Sequence, residues 1–193
     1  MNFNVQNLLQ KDNIYCSQGD TSSKHVPKKI FQRAEGVFLY DEQNVKYLDM
    51  QMFNSASNFG YQNPAYNDCI IKQLGSLPSL AAEFMNENRI LLSEKICNYM
   101  YSNYGVSGRV HFTVGGAQAV DDALKLAFNY THNHGVICFE GAYHGRTMAA
   151  SSISSSYRYT RKFGNVIDTY TIPFPNCSAC AYDMQNKNFD SLY

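Results

Sequence analysis

Apolar and polar residues alternate across residues 36–49 (GVFLYDEQNVKYLD). Val37 and Leu39, then Val45 and Tyr47, flank a turn at Asp41–Asn44, the pattern of a β-hairpin. Residues 1–30 are polar and mixed, and read as a loosely ordered leader. Residues 50–64 are rich in Asn, Ser and Gly and end in Pro64, which marks a loop. A short helix is expected over 65–75, stopping near Gly75. Across 82–102, Phe84, Leu91, Leu92, Ile96, Tyr99 and Met100 recur at helical spacing. Residues 109–114 follow as a strand of modest apolar content. After Gly115-Gly116 comes AQAVDDALKLAFNY, in which Val120, Ala123, Leu124, Ala127 and Phe128 share one helix face. Val136–Phe139 is a compact apolar strand, residues 166–172 are another, and the tail from Pro173 is turn-rich.

From 109 onward the order is strand, glycine turn, helix, strand, loop, strand. That alternation predicts an α/β layer with a mainly parallel sheet and flanking helices. Three segments are expected: a leader or arm over 1–35, a hairpin and loop segment over 36–80, and the first part of an α/β domain over 81–193. So few strands make an incomplete sheet, so the pattern is expected to be truncated relative to its own architecture.

The length, 193 residues, is enough for one domain with its own core. Lys+Arg and Asp+Glu are both 16, a balance without the basic stripe that nucleic-acid binding requires. No apolar run has the length of a membrane span, and the first residues lack a secretory signal. A soluble, cytoplasmic protein is expected. Cys16, Cys69, Cys97 and Cys138 are expected to be buried reduced thiols. Cys177 and Cys180 form a C-x-x-C, readable as half of a zinc or iron–sulfur site, as a redox pair or as unpaired thiols. Two ligands without a second pair favour the thiols, and no metal is expected.

A strand, two glycines and a helix form an arrangement that can bind an anion. Glycine lets the backbone approach a phosphate, and the first helical turn presents unpaired N–H groups backed by the helix dipole. The candidate donors are the N–H groups of Gly116 and Ala117, with Gln118 and the Thr113 hydroxyl in reserve. The same two glycines also suit a tight connection with no ligand. Neither the G-x-G-x-x-G fingerprint nor a Gly-Lys-Ser/Thr loop is present.

Gly115–Ala127 (GGAQAVDDALKLA) resembles the Ser-Gly-Ala/Thr-Glu-Ala-x-Glu-x-Ala-x-Lys-x-Ala segment of class-III aminotransferases. Gly141–Thr147 (GAYHGRT) is similar to their Gly-x-Tyr/Phe-His-Gly-Arg-Thr. Gly36–Asp41 with Tyr47–Asp49 resembles the family's opening hairpin, and Phe59–Pro64 (FGYQNP) its Gly-His-x-x-Pro loop. YRYTRKFG and IPFPNC resemble the segments that follow. The likeness runs over residues 33–178 and leans toward 4-aminobutyrate and other ω-amino-acid aminotransferases.

This resemblance implies the large-domain α/β architecture of fold type I pyridoxal-phosphate enzymes and a homodimer. It implies pyridoxal 5'-phosphate as cofactor and an amine and a 2-oxo acid as substrates. Gly116 and Ala117 would donate to the cofactor phosphate, Tyr143 would stack on the ring, and His144 would support it. Tyr143 also reads as a core aromatic, His144 as a structural histidine, Arg146 as a loop-anchoring cation and Asp121 as part of a solvated helix face.

Gly115 stands for the family's Ser, Gln118 for its Glu and Tyr61 for its His. The resemblance places the Schiff-base lysine beyond Tyr193, so no catalytic residue is assigned. Lys125, on the helix after the glycine turn, does not match it. The chain alone is therefore expected to lack transaminase activity, with a second chain as one possible source of the C-terminal part. The alternatives are a non-catalytic remnant or dimerisation module, a fold-type-I relative such as an aminomutase or decarboxylase, and a generic nucleotide-binding domain.

Overall fold

A computed structural model of the chain describes residues 4–17, 28–155 and 165–175. Cys177, Cys180 and the whole YRYTRKFG segment lie outside the described residues. The chain divides into two compact units, Met1–Val106 and Ser107–Tyr193. The helix expected at the start of the 81–193 segment therefore belongs to the first unit.

The first unit opens with helix α1, Val5–Tyr15, where a loosely ordered leader was expected. The Asn4 side chain caps it by accepting the Asn7 N–H at 3.1 Å. Three antiparallel strands follow in the order β1-β2-β3: Phe31–Glu35, Phe38–Asp41 and Lys46–Leu48. The expected hairpin is β2–β3, with Leu39 opposite Tyr47. β1 (FQRAE) has no alternating pattern to announce it; it forms by pairing with β2.

Asp41, buried at the end of β2, organises the turn. Its Oδ1 accepts the N–H groups of Gln43 and Val45 at 3.0 and 2.9 Å, and its Oδ2 accepts the Tyr47 hydroxyl at 2.9 Å. Burial alone would raise this carboxyl; the Val45 N–H, Tyr47, the Gln43 N–H and Lys29 outweigh it and hold it below the ordinary aspartate value.

The expected loop 50–64 contains one left-handed turn, α2, Met52–Ser55, with φ from 45° to 66°. Non-glycine residues resist this conformation by roughly 1–2 kcal/mol each. Asp49 supports the turn, its Oδ1 accepting the N–H groups of Gln51 and Met52 at 2.8 and 3.1 Å. The Tyr61 hydroxyl donates to Asp49 Oδ2 at 2.6 Å and closes the loop. Helix α3, Pro64–Ser76, starts on an Asn63 cap with proline in its first turn.

Helix α4, Glu87–Tyr104, begins five residues later than expected, because Asn86 caps it and Arg89 holds the Ala82 and Phe84 carbonyls in a separate turn. It ends at Gly105, in the left-handed region at φ 66°.

In the second unit the expected strand 109–114 does not form. A strand exists by hydrogen bonding to a neighbour, and no described strand pairs with these residues. Helix α5, Gly116–Thr131, follows the glycine pair as expected. Strand β4, Val136–Phe139, pairs in parallel with β5, Thr169–Ile172, and helix α6, Met148–Ser152, lies between them in sequence. β5 begins at 169 rather than 166.

The α/β alternation is present, but its parallel layer has two described strands. Among the described residues only Cys138, Ala150 and Ile153 are buried apolar side chains, with Ser151, Ser152 and Ser154 beside them in sequence. The core expected from the length is thus much smaller, because a two-stranded sheet and few helices cannot cover one another's faces. Cys138 is buried as expected, but Cys16, just past the end of α1, is exposed, and Cys69 and Cys97, on helices that bury no residue, are exposed and half-buried.

Candidate functional site

The second unit holds an open cavity of about 850 Å³ between the start of α5 and the 143–147 loop. Gly116 and Ala117 line one side, and Tyr143 and His144 the other. All four residues singled out in the sequence therefore share one cavity. Gln118 and Gly115 join the helix side, and Arg146 and Thr147 the loop side.

The helix side is shaped for an anion. Gly115 is the N-cap, its backbone extended, and no side chain caps the helix. The first bond into the helix runs from the Ala119 N–H to the Gly115 carbonyl at 3.0 Å. Earlier N–H groups of the turn, those of Gly116, Ala117 and Gln118, remain available to a ligand. The Thr113 hydroxyl is engaged elsewhere, donating to the Gly115 carbonyl at 3.0 Å. Thr113 thus braces the glycine turn and does not line the cavity. The lining includes one Arg, one His and no carboxylate, a set that matches a negatively charged group.

The loop side is fixed by close packing. Gly145 has φ 133°, in a region that side chains rarely adopt. A Cβ built there would lie 2.5 Å from the Ala117 Cβ and 2.9 Å from its Cα. Only glycine lets the loop lie this close to the first turn of α5. The His144 N–H donates to the Ser154 Oγ at 2.9 Å, and the Ser154 hydroxyl donates to the Ala150 carbonyl at 2.8 Å. The backbone beside Tyr143 is thereby tied to the buried serine cluster.

Tyr143 is 57 % exposed, so it is a cavity-wall aromatic and not a core one. Arg146 lines the cavity, and no described carboxylate pairs with it. Its place in the wall, and the contact of Gly145 with Ala117, were not drawn from the sequence. The Gly-Arg pair within GAYHGRT was the available signal. Lys125 lines a separate cavity with Arg109 and Asp122, as befits its place off the glycine-turn side of α5. Among the described residues no helix is long and apolar enough to cross a membrane.

Residues 20–191 match the family model described as Aminotransferase class-III. Ornithine aminotransferase 2 of Staphylococcus saprophyticus subsp. saprophyticus is 31% identical over 176 residues, 86% of this chain and 41% of that protein. Acetylornithine aminotransferase of Agrobacterium fabrum is 27% identical over 156 residues, 77% of this chain and 38% of that protein. Among solved structures, taurine:2-oxoglutarate aminotransferase from Bifidobacterium kashiwanohense, in complex with PLP and glutamate, aligns with a TM-score of 0.78 and 25% identity. That alignment covers 89% of this chain and 38% of that one. An S-selective transaminase from Bacillus megaterium aligns with a TM-score of 0.78 at 22% identity, over 90% of this chain and 40% of that one. The chain thus has the fold of part of these transaminases, and spans about two fifths of the length of the curated relatives it matches.

Proposed function

The chain belongs to the class-III aminotransferases, and from that premise we propose that it supplies the phosphate cradle and one ring face of a pyridoxal 5'-phosphate site. The whole activity is amino-group transfer from an amine or ω-amino acid to a 2-oxo acid. The relatives named for ornithine and acetylornithine support a donor of the diamino-acid kind. The cytoplasmic setting and the homodimer expected from the sequence form part of this proposal.

One observation carries it: Gly116, Ala117, Tyr143 and His144 line one cavity, with uncapped helical N–H groups on one wall and an aromatic ring on the other. In this arrangement the N–H groups of Gly116 and Ala117 donate to the phosphate oxygens, with that of Gln118 beside them. Each such bond to a charged acceptor contributes about 1.5–3 kcal/mol, and the helix dipole adds roughly 0.3–1 kcal/mol. The Tyr143 ring lies against the flat heterocycle, where offset stacking is favourable. His144 is held by its own backbone and supports the tyrosine. Arg146 adds a positive charge for a second anionic group, such as a carboxylate.

When bound, the cofactor draws off the electron pair released as a proton leaves the carbon bearing the amino group. Among the described residues no lysine stands on the wall of the cavity. In this proposal the chain is a binding half, and the covalent anchor and the proton shuttle are assigned to none of its described residues.

Titration of the 193-residue chain with pyridoxal phosphate, and separately with pyridoxal, tests this. Saturable binding of the phosphate ester, weaker binding of pyridoxal and no turnover of an amine with a 2-oxo acid are expected. Equal affinity for the two compounds, or no affinity for either, removes the proposed site. Turnover by the chain alone contradicts its role as a half.

A further inference from the structure

We propose that Asp121 is a positioning residue for this site: it holds the Tyr143-bearing loop at a fixed distance from the α5 amides, and so sets affinity for the cofactor's ring and not for its phosphate. This rests on the site proposed above and assigns a residue that does not line the cavity.

Asp121 lies in the second turn of α5, half-buried. Its Oδ1 accepts two donors from beyond its own helix: the Thr147 hydroxyl at 2.8 Å and the Ala150 N–H at 3.0 Å. Ala150 is in the first turn of α6, whose own N-cap, Thr147, makes no side-chain cap bond. The cap of α6 is thus supplied across space by α5. A carboxylate in that position is favoured twice, by charge-assisted hydrogen bonds and by the positive end of the helix.

The consequence is a loop held at three points. Asp121 grips its end at Thr147, Ser154 grips its start at the His144 N–H, and Gly145 rests on Ala117 between them. Of the three, Asp121 joins the helix that carries the amides to the helix that follows the loop through polar bonds. Its neighbour Asp122 faces elsewhere, with His111 Nε2 at 3.2 Å from its Oδ2. Losing Oδ1 releases both donors and lets Tyr143 leave its place, while Gly116 and Ala117 keep their N–H groups. Asparagine keeps an oxygen acceptor at the same position and preserves both bonds.

The test titrates the full chain, as wild type, Asp121→Ala and Asp121→Asn, with pyridoxal phosphate and separately with inorganic phosphate. For Asp121→Ala, pyridoxal phosphate is expected to bind roughly tenfold or more weakly, and inorganic phosphate within about twofold of wild type. Asp121→Asn is expected to stay within about threefold of wild type for both. If Asp121→Ala does not fold, Thr147→Val, which removes one donor, is expected to weaken the cofactor while inorganic phosphate stays within about twofold of wild type. The proposal is overturned if Asp121→Ala (or Thr147→Val in its place) binds the cofactor as wild type does, or loses both ligands alike. It is also overturned if Asp121→Asn falls as far as alanine. A wild-type chain that binds neither ligand overturns the site itself, and this role with it.

Discussion

Adding one methyl group at Gly145 should separate the two walls of the cavity. The new Cβ of Gly145→Ala would meet the Ala117 Cβ at 2.5 Å, the Ala117 Cα at 2.9 Å and the Ala150 Cβ at 3.1 Å. Two of these atoms belong to the first turn of α5, so no flexible side-chain tip can move aside. The φ of 133° adds strain for any residue with a Cβ. Overpacking costs about 1–3 kcal/mol and the backbone conformation about 1–3 kcal/mol, together about 2–6 kcal/mol in the second unit. Gly141→Ala is the matched control. Its φ is 78°, yet nothing lies within 4 Å of the added atom, so only the conformational cost of about 1–2 kcal/mol applies. Urea unfolding followed by circular dichroism, beside a pyridoxal phosphate titration, measures both effects. Gly145→Ala is expected to lower stability more than Gly141→Ala and to weaken the cofactor by at least about tenfold, since 1.4 kcal/mol is a factor of ten. Equal behaviour of the two variants would show that the loop does not rest on α5.

The remaining predictions concern the loop base and the helix cap. The Tyr61 hydroxyl holds the Asp49 carboxyl below its ordinary value, and Asp49 raises the Tyr61 phenol above its own. Asp49 therefore contributes stability that is present above the ordinary aspartate value and lost as pH falls through its depressed one. Tyr61 contributes stability that is present below the ordinary phenol value and lost as pH rises through its elevated one. Tyr61→Phe should flatten the alkaline limb of a stability–pH profile and shrink the acid limb; an unchanged profile would refute the pairing. Gly115→Ser places a hydroxyl at the N-cap, where serine exceeds glycine by a few tenths of a kcal/mol. Thermal unfolding should show that small gain without the cofactor, and the titration a tighter phosphate ester. A looser one would mean the hydroxyl competes for the amides.

Elements whose stability is local were legible in the sequence. The β2–β3 hairpin follows from alternation around Asp41, and the helix expected over 65–75 is α3, one residue longer at each end. Helix α5 follows from a glycine pair and a single apolar face. What failed depends on partners distant in sequence. Residues 109–114 carry a strand pattern without a described strand to pair with, and β1 carries no pattern yet pairs. Phe84, Leu91, Leu92, Ile96, Tyr99 and Met100 fall at helical spacing, yet all six are exposed. The site shows the same division. Two short motifs singled out Gly116, Ala117, Tyr143 and His144, and these four line one cavity. The contacts of Gly145 and Asp121 were not foreseen, since they join α5 to a segment some 25–30 residues later.

The central claim is that the main-chain amides opening α5 hold a phosphoryl group. The most direct measurement is a ¹⁵N–¹H spectrum of the labelled chain during titration with pyridoxal phosphate and, in parallel, with pyridoxal. The amide signals of Gly116 and Ala117 are expected to move to saturation with the phosphate ester and to stay in place with the alcohol. Amides that do not respond to the ester, or respond equally to both compounds, would contradict it.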